Sequence, residues 1–285
     1  MRIDLHTHSS VSDGTETPGD LLASARAAGL DVVALTDHDT TGGWAAAEAA
    51  RPAGLTVIPG MELSCRWFPE DQPPMSVHLL GYLFDPLHPA FAAERARLRD
   101  ERLTRAERIV GALAADGYPV DWAEIVAHAD GSVVGRPHIA GALVRGGVVD
   151  SVADAFTTLL HHRSPYYAAK ADTDVREGIA LVRAAGGVPV FAHGLATKRG
   201  RVVGDDAIAA MAAAGLLGLE VDHPDHSADE RAHLRGLAAD LDLIVTGSSD
   251  YHGANKATPI GACTTDPGQF ERLLAAGTGT PPLRD

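Results

Sequence analysis

Residues 2–9 read Arg2-Ile3-Asp4-Leu5-His6-Thr7-His8-Ser9, an apolar, strand-forming run that ends in two histidines one residue apart. In a strand this spacing sends both imidazoles from the same face, about 7 Å apart along the chain. The pattern of an apolar run followed by metal-ligand residue types recurs. Residues 31–36 lead into Asp37-His38-Asp39, 55–58 are followed by Glu62, 188–192 end at His193, and 243–246 precede Asp250 and His252. Asp13 follows the first pair in a Ser-Asp-Gly turn. Further strand-like runs at 77–83, which carries His78 near its start, and 217–221 bring the number to seven.

Between most of these runs lie alanine-rich helical patterns with clear stops and starts. Thr17-Pro18 opens a helix that Gly29 closes, and Thr173 opens one closed by Gly186-Gly187. Such alternation predicts an α/β fold with a mostly parallel sheet, most simply a barrel. It fails from 89 to 170, where helical patterns follow one another without a strand run. Residues 1–88 and 171–285 are therefore expected to form the barrel, and 89–170 an inserted helical subdomain. Its first helix, at 91–116, carries Arg95, Arg97, Arg99, Arg102, Arg105 and Arg108 among acidic residues, which reads as a solvated face laced with ion pairs. The tail from 277 to 285 reads as loose.

With 285 residues, 45% of them hydrophobic, the chain can bury a full core. The apolar runs are far shorter than the roughly 18 residues of a membrane-spanning helix, and no secretory segment is apparent. With only Cys65 and Cys263 present, a disulfide framework is implausible and the cytoplasm is the expected compartment. A formal charge of -14 disfavours a broad nucleic-acid-binding face and points to a small substrate. Bound divalent cations would invert the local field enough to attract an anion.

A lone His-x-His pair is common in cores and on surfaces. Five strand ends carrying His, Asp or Glu are not, because barrels of this kind gather the C-terminal ends of their strands at one mouth. Mixed imidazole and carboxylate donors without thiolates read as a multinuclear site for Mn, Zn or Fe.

The segments Asp4-Leu5-His6-Thr7-His8-Ser9, Thr36-Asp37-His38-Asp39, Gly60-Met61-Glu62, Ala192-His193 and Ser249-Asp250-Tyr251-His252-Gly253 resemble the signature motifs of the polymerase and histidinol phosphatase (PHP) superfamily. The resemblance covers nearly the whole chain and is strongest to stand-alone bacterial phosphatases of nucleotides, including 3',5'-bisphosphates and AMP. It implies a distorted seven-stranded β/α barrel with three divalent metals. It would put His6, His8, Glu62 and Asp250 on one metal, with Glu62 bridging to a second that takes His78 and His193. Asp13, His38 and His252 would hold the third. His193-Gly194 departs from the His-Pro usual in relatives, a change expected to alter the loop more than the ligand.

The implied chemistry is phosphoester hydrolysis by a hydroxide shared between two cations, in line and without a side-chain nucleophile. His223 or His226 could relay a proton to the leaving oxygen. Arg136, at a helix start after Gly135, together with His138 and Lys170 are candidate substrate contacts. Asp37 and Asp39 read as partners that orient ligand histidines. His88, His128, His161, His162 and His233 read as solvated. Alternatives are a histidinol phosphatase, an exonuclease on short RNA or DNA, and a metal-bearing binding module without catalysis. The oligomeric state is not legible.

Overall fold

The computed structural model describes residues 1–129, 134–161, 163–169 and 171–285. Lys170 and His162 lie outside the described residues. The chain runs β1 (Ile3–Thr7), α1 (Pro18–Ala27), β2 (Val32–Leu35), α2 (Trp44–Ala50), β3 (Thr56–Trp67), β4 (Met75–Tyr82), α3 (Pro89–Ala115), α4 (Trp122–Ala129), α5 (Arg136–Arg145) and α6 (Val152–Thr158). It continues through β5 (Thr173–Asp174), α7 (Val175–Ala184), β6 (Val188–Phe191), α8 (Asp205–Ala213), β7 (Gly218–Asp222), α9 (Ala228–Asp240), β8 (Ile244–Gly247) and α10 (Pro267–Ala276).

Seven strands follow one path, β1-β2-β3-β4-β6-β7-β8, and a backbone bridge between Thr7 and Tyr251 brings its two ends together as a nearly closed barrel. The short β5 pairs beside β3, off this path. Strands such as Val32-Val33-Ala34-Leu35 and Val188-Pro189-Val190-Phe191 are buried at every position, as expected where helices cover a sheet.

The sheet departs from the parallel expectation at one strand. β4 runs antiparallel to β3, from Gly60↔Tyr82 to Trp67↔Met75, and also antiparallel to β6. Its N-terminal half therefore lies at the end of the barrel where the other strands terminate. This explains why His78, which opens its apolar run, reaches the same mouth as the histidines that close theirs.

Local signals place most helix ends. The Thr17 hydroxyl accepts the Asp20 N–H and Pro18 occupies the first turn, while Gly29 at φ 73° ends α1. Asp174, not Thr173, caps α7, its carboxylate accepting the Arg176 N–H. Between β4 and β5 the chain forms α3 to α6, which bury a core of their own around Ile109, Leu113, Ile125, Ile139, Leu143 and Leu160.

The expectation of a solvated arginine face on α3 is corrected by the packing. Arg95 is 6% exposed and donates to Thr41 and to the Pro86 carbonyl, and Arg105 donates to the Ala168 carbonyl. Helical periodicity turns these arginines inward against the barrel, whereas Arg97 stays outside and pairs with Glu94.

Leu143 is fully buried in the helical core. Leu143→Ala should cost about 2–5 kcal/mol, read as a lower urea midpoint by tryptophan fluorescence; an unchanged midpoint would mean that this core contributes little.

Candidate metal centre

Glu62, on β3 and 1% exposed, is the hub of the barrel mouth. Its Oε2 lies 3.2 Å from His6 Nε2, His8 Nε2 and His38 Nδ1, and its Oε1 lies 2.6 Å from His78 Nδ1 and 2.9 Å from His193 Nε2. Asp250 Oδ1 stands 3.6 Å from His6 Nε2 and 3.5 Å from His8 Nε2. Asp13 completes the other flank, 3.5 Å from His8, 3.6 Å from His38 and 3.4 Å from His252. All nine residues expected from the sequence are thus in one contiguous cluster.

Among the described residues, three groupings bring potential ligand atoms within 4.8 Å of one another: His8, Asp13, His38 and His252; His6, His8 and Asp250; and His38, Glu62 and His78. The donor chemistry fits divalent cations. Imidazole nitrogens and carboxylates alternate, and His38 Nδ1 is buried without a hydrogen-bond partner although Glu62 is near. A buried polar atom left in that state is costly unless something else satisfies it.

Electrostatics point the same way. Burial would raise the Glu62 carboxyl, but His78, His38 and His6 hold it well below its usual range. Burial likewise opposes ionisation of Asp250 and is outweighed by Lys256, His6 and His252. Burial, helped by His8, pushes His252 down to about 3, and burial also drives His38 well down. The acids are therefore ionised and these two imidazoles neutral, which is the protonation a cation needs from its ligands.

The backbone is strained at the same place. His193 at φ 33°, Asp250 at φ 51° and Asp39 at φ 55° are non-glycine residues in the left-handed region, which costs on the order of 1–3 kcal/mol each and clusters at functional sites. Gly194, the departure noted in the sequence, sits where a Cβ would come 2.5 Å from the Phe191 ring.

The two aspartates beside His38 hold neighbouring loops. Asp37 accepts the Ser9 N–H and the Ser9 and Ser12 hydroxyls, fixing the turn that carries Asp13. Asp39 accepts the Ser64 N–H and hydroxyl and a two-pronged bond from Arg102 of α3, at 2.7 and 3.1 Å. Arg102 thereby ties the helical insertion to the wall of the site, a role the sequence reading missed because charge alternation along α3 resembles a solvated helix.

Above the centre lies a cleft of about 750 Å³ lined by Arg66, Arg105, Arg136, Phe156, Tyr167, Lys198 and Lys256, with Asp13, His38 and His252 among its walls. Arg136 begins α5, stacks 5.1 Å over Phe156 and donates to the Leu160 carbonyl. Burial, reinforced by Arg105 and Arg102, pushes Arg136 down to about 10. His138 accepts the Gly135 N–H and so caps α5. A second groove, also about 750 Å³, meets the first at Asp13, Pro137, Val152 and Asn255 and is bordered by Arg99, His128, His138 and Arg145.

His223 is 1% exposed and stands behind Asp250, with Nε2 3.4 Å from Oδ2 and Nδ1 accepting the Asp225 N–H. His226 has both ring nitrogens engaged by backbone, Nδ1 with the Val221 carbonyl and Nε2 with the Leu195 N–H. Neither histidine is among the residues that line the cleft. Lys256 was also missed; its ammonium lies 2.6 Å from Asp250 Oδ2.

The profile of the PHP domain matches residues 4–143. The chain is 34% identical over 253 residues to a 3',5'-nucleoside bisphosphate phosphatase of Chromobacterium violaceum, covering 88% of this chain and 87% of that protein. It is 33% identical over 252 residues to a 5'-3' exoribonuclease of Haemophilus influenzae, with 88% and 90% covered. Among solved structures, a protein from Bifidobacterium adolescentis provisionally named a metal-dependent phosphoesterase superposes with a TM-score of 0.89 at 38% identity, over 97% of this chain and 96% of that one.

Reconstituted protein is expected to hold about two to three equivalents of divalent metal, and His38→Ala should lose about one of them while keeping its circular dichroism. Retention of the wild-type complement by His38→Ala would remove His38 from the ligand set. Arg102→Ala removes the guanidinium paired with the fully buried Asp39 carboxylate and should cost about 3–5 kcal/mol, measured by denaturant unfolding.

Proposed function

This chain belongs to the PHP domain family, and from that membership we propose that it is a metal-dependent phosphoric ester hydrolase acting on a small phosphorylated nucleotide, best a 3',5'-bisphosphate. The observation that carries the substrate class is the cleft. A cluster of imidazoles and carboxylates forms one wall, and half-buried Arg136, backed by Arg105 and flanked by Phe156 and Tyr167, forms another. A second phosphate on the guanidinium and a base against an aromatic ring would suit such a pocket.

In this reading His6, His8, Asp13, His38, Glu62, His78, His193, Asp250 and His252 hold the cations, which we take to be three and of the manganese, zinc or iron type. Bound there, they would supply Lewis acidity toward the phosphoryl oxygens and an activated water at neutral pH. The chain's own residues position the reactants. Arg136 grips a phosphate that is not cleaved, and Lys256 holds the outer oxygen of Asp250, fixing the direction of its inner oxygen.

The second groove favours one further reading. Because it joins the first at Asp13 and Asn255, a short RNA could lie across the centre with one residue in each arm. The charge of -14 limits this to short strands.

Phosphate release should be assayed with added manganese on a 3',5'-bisphosphate, AMP, histidinol phosphate and a short 5'-phosphorylated RNA. No release from any of them would sink the proposal. Arg136→Ala removes a charge-assisted contact worth about 2–4 kcal/mol, so kcat/KM on the bisphosphate should fall about 30-fold to 1000-fold. AMP should lose far less. Equal losses on both substrates would move Arg136 onto the scissile phosphate, and unchanged kinetics on both would remove it from the site.

A further inference from the structure

Residues 217–221 read Leu217-Gly218-Leu219-Glu220-Val221, an apolar strand run interrupted by one acid, Glu220, which lies on β7. Glu220 is 1% exposed and lies outside the nine-residue donor set. Its Oε1 accepts from His6 Nδ1 at 3.0 Å and from the Ser248 hydroxyl at 2.5 Å, and its Oε2 accepts the His193 N–H at 2.7 Å. One buried anion therefore touches two proposed ligands carried by different strands, and it does so from behind, away from the centre.

We propose that Glu220 is a positioning residue for the metal centre, locking His6 as the tautomer that carries its proton on Nδ1 and pinning the backbone of His193. The inference rests on the metal-centre reading above. A carboxylate can only accept, so the ring nitrogen facing it must be the protonated one. That leaves His6 Nε2 as the donor atom, and Nε2 is the nitrogen that faces the inner cluster, 3.0 Å from His8 Nε2, 3.2 Å from Glu62 and 3.6 Å from Asp250.

The second bond explains a strained residue. His193 sits at φ 33°, a conformation that persists only when its surroundings hold it there. The Glu220 bond to the His193 N–H supplies such a restraint while His193 Nε2 points to Glu62 at 2.9 Å. A carboxylate behind a ligand histidine also raises the basicity of the ring.

Glu220→Gln is nearly isosteric but cannot accept at both ends. Its amide NH2 would either oppose the His193 N–H or donate to His6 Nδ1, and the second choice moves the His6 proton onto Nε2, where it blocks the ligand. Zinc titration of apo protein against a competing chelator should show the variant binding its weakest zinc about 10- to 100-fold less tightly than wild type, with close to one equivalent lost at limiting zinc.

A merely structural Glu220 would instead lower the apo melting temperature and leave zinc number and affinity unchanged; that result overturns the proposal. Should Glu220→Gln not fold, zinc-loaded wild-type protein answers the question directly. Long-range proton–nitrogen correlation spectra should find the His6 proton on Nδ1, downfield and slow to exchange, and a proton on Nε2 would overturn the assignment. Failure of wild-type protein to take up zinc at all would instead bring down the metal-centre reading on which the inference stands.

Discussion

Everything at the barrel mouth is arranged around a single buried carboxylate, Glu62, whose two oxygens face five imidazoles at 2.6 to 3.2 Å. So many titratable groups packed in a largely buried space would repel or protonate one another if left alone, and burial makes every unbalanced charge more costly. Acids and imidazoles in alternation relieve part of this, and divalent cations would relieve the rest. The site is best understood as a set of potential donor groups held close against their own electrostatics, with the barrel supplying the force.

That force comes from topology. β1, β2, β6 and β8 deliver donor residues toward the mouth at or just beyond their ends, β3 presents Glu62 from within its length, and β4 delivers His78 from near its start, because it runs against both neighbours. The inversion lets β3 and β4 pair over a long register and brings Glu62 and His78 to the same rim. An all-parallel barrel would have carried the start of that strand, and His78 with it, to the opposite end.

The sequence exposed the parts of the site that follow from strand endings. His6, His8, His38, His193, Asp250 and His252 sit where apolar runs give way to polar residues, and the helical insertion announced itself by the missing strand runs between 89 and 170. What stayed hidden depends on contacts distant along the chain. Glu220 lies inside an apolar run and its significance comes from His6, 214 positions away. Arg102 sits in a charge pattern that looks solvated, and only the approach of α3 to Asp39 gives it a buried partner. His226 follows a strand as a catalytic residue might, and only the structure shows its nitrogens engaged by the Val221 and Leu195 backbone.

The link between Arg102 and Asp39 has a consequence for how substrate and centre communicate. Asp39 follows His38 directly, takes its N–H to the Glu62 carbonyl, and receives Arg102 from the helix that also carries Arg105 into the cleft. Arg136 stands in the same electrostatic neighbourhood, since Arg105 and Arg102 both disfavour its charge. An anion bound among these guanidiniums would relieve repulsion that otherwise bears on the strut itself. Anion binding there and the rigidity of the His38 loop would then be parts of one balance of charge, because Arg102 and the His38 loop are joined through a single buried aspartate.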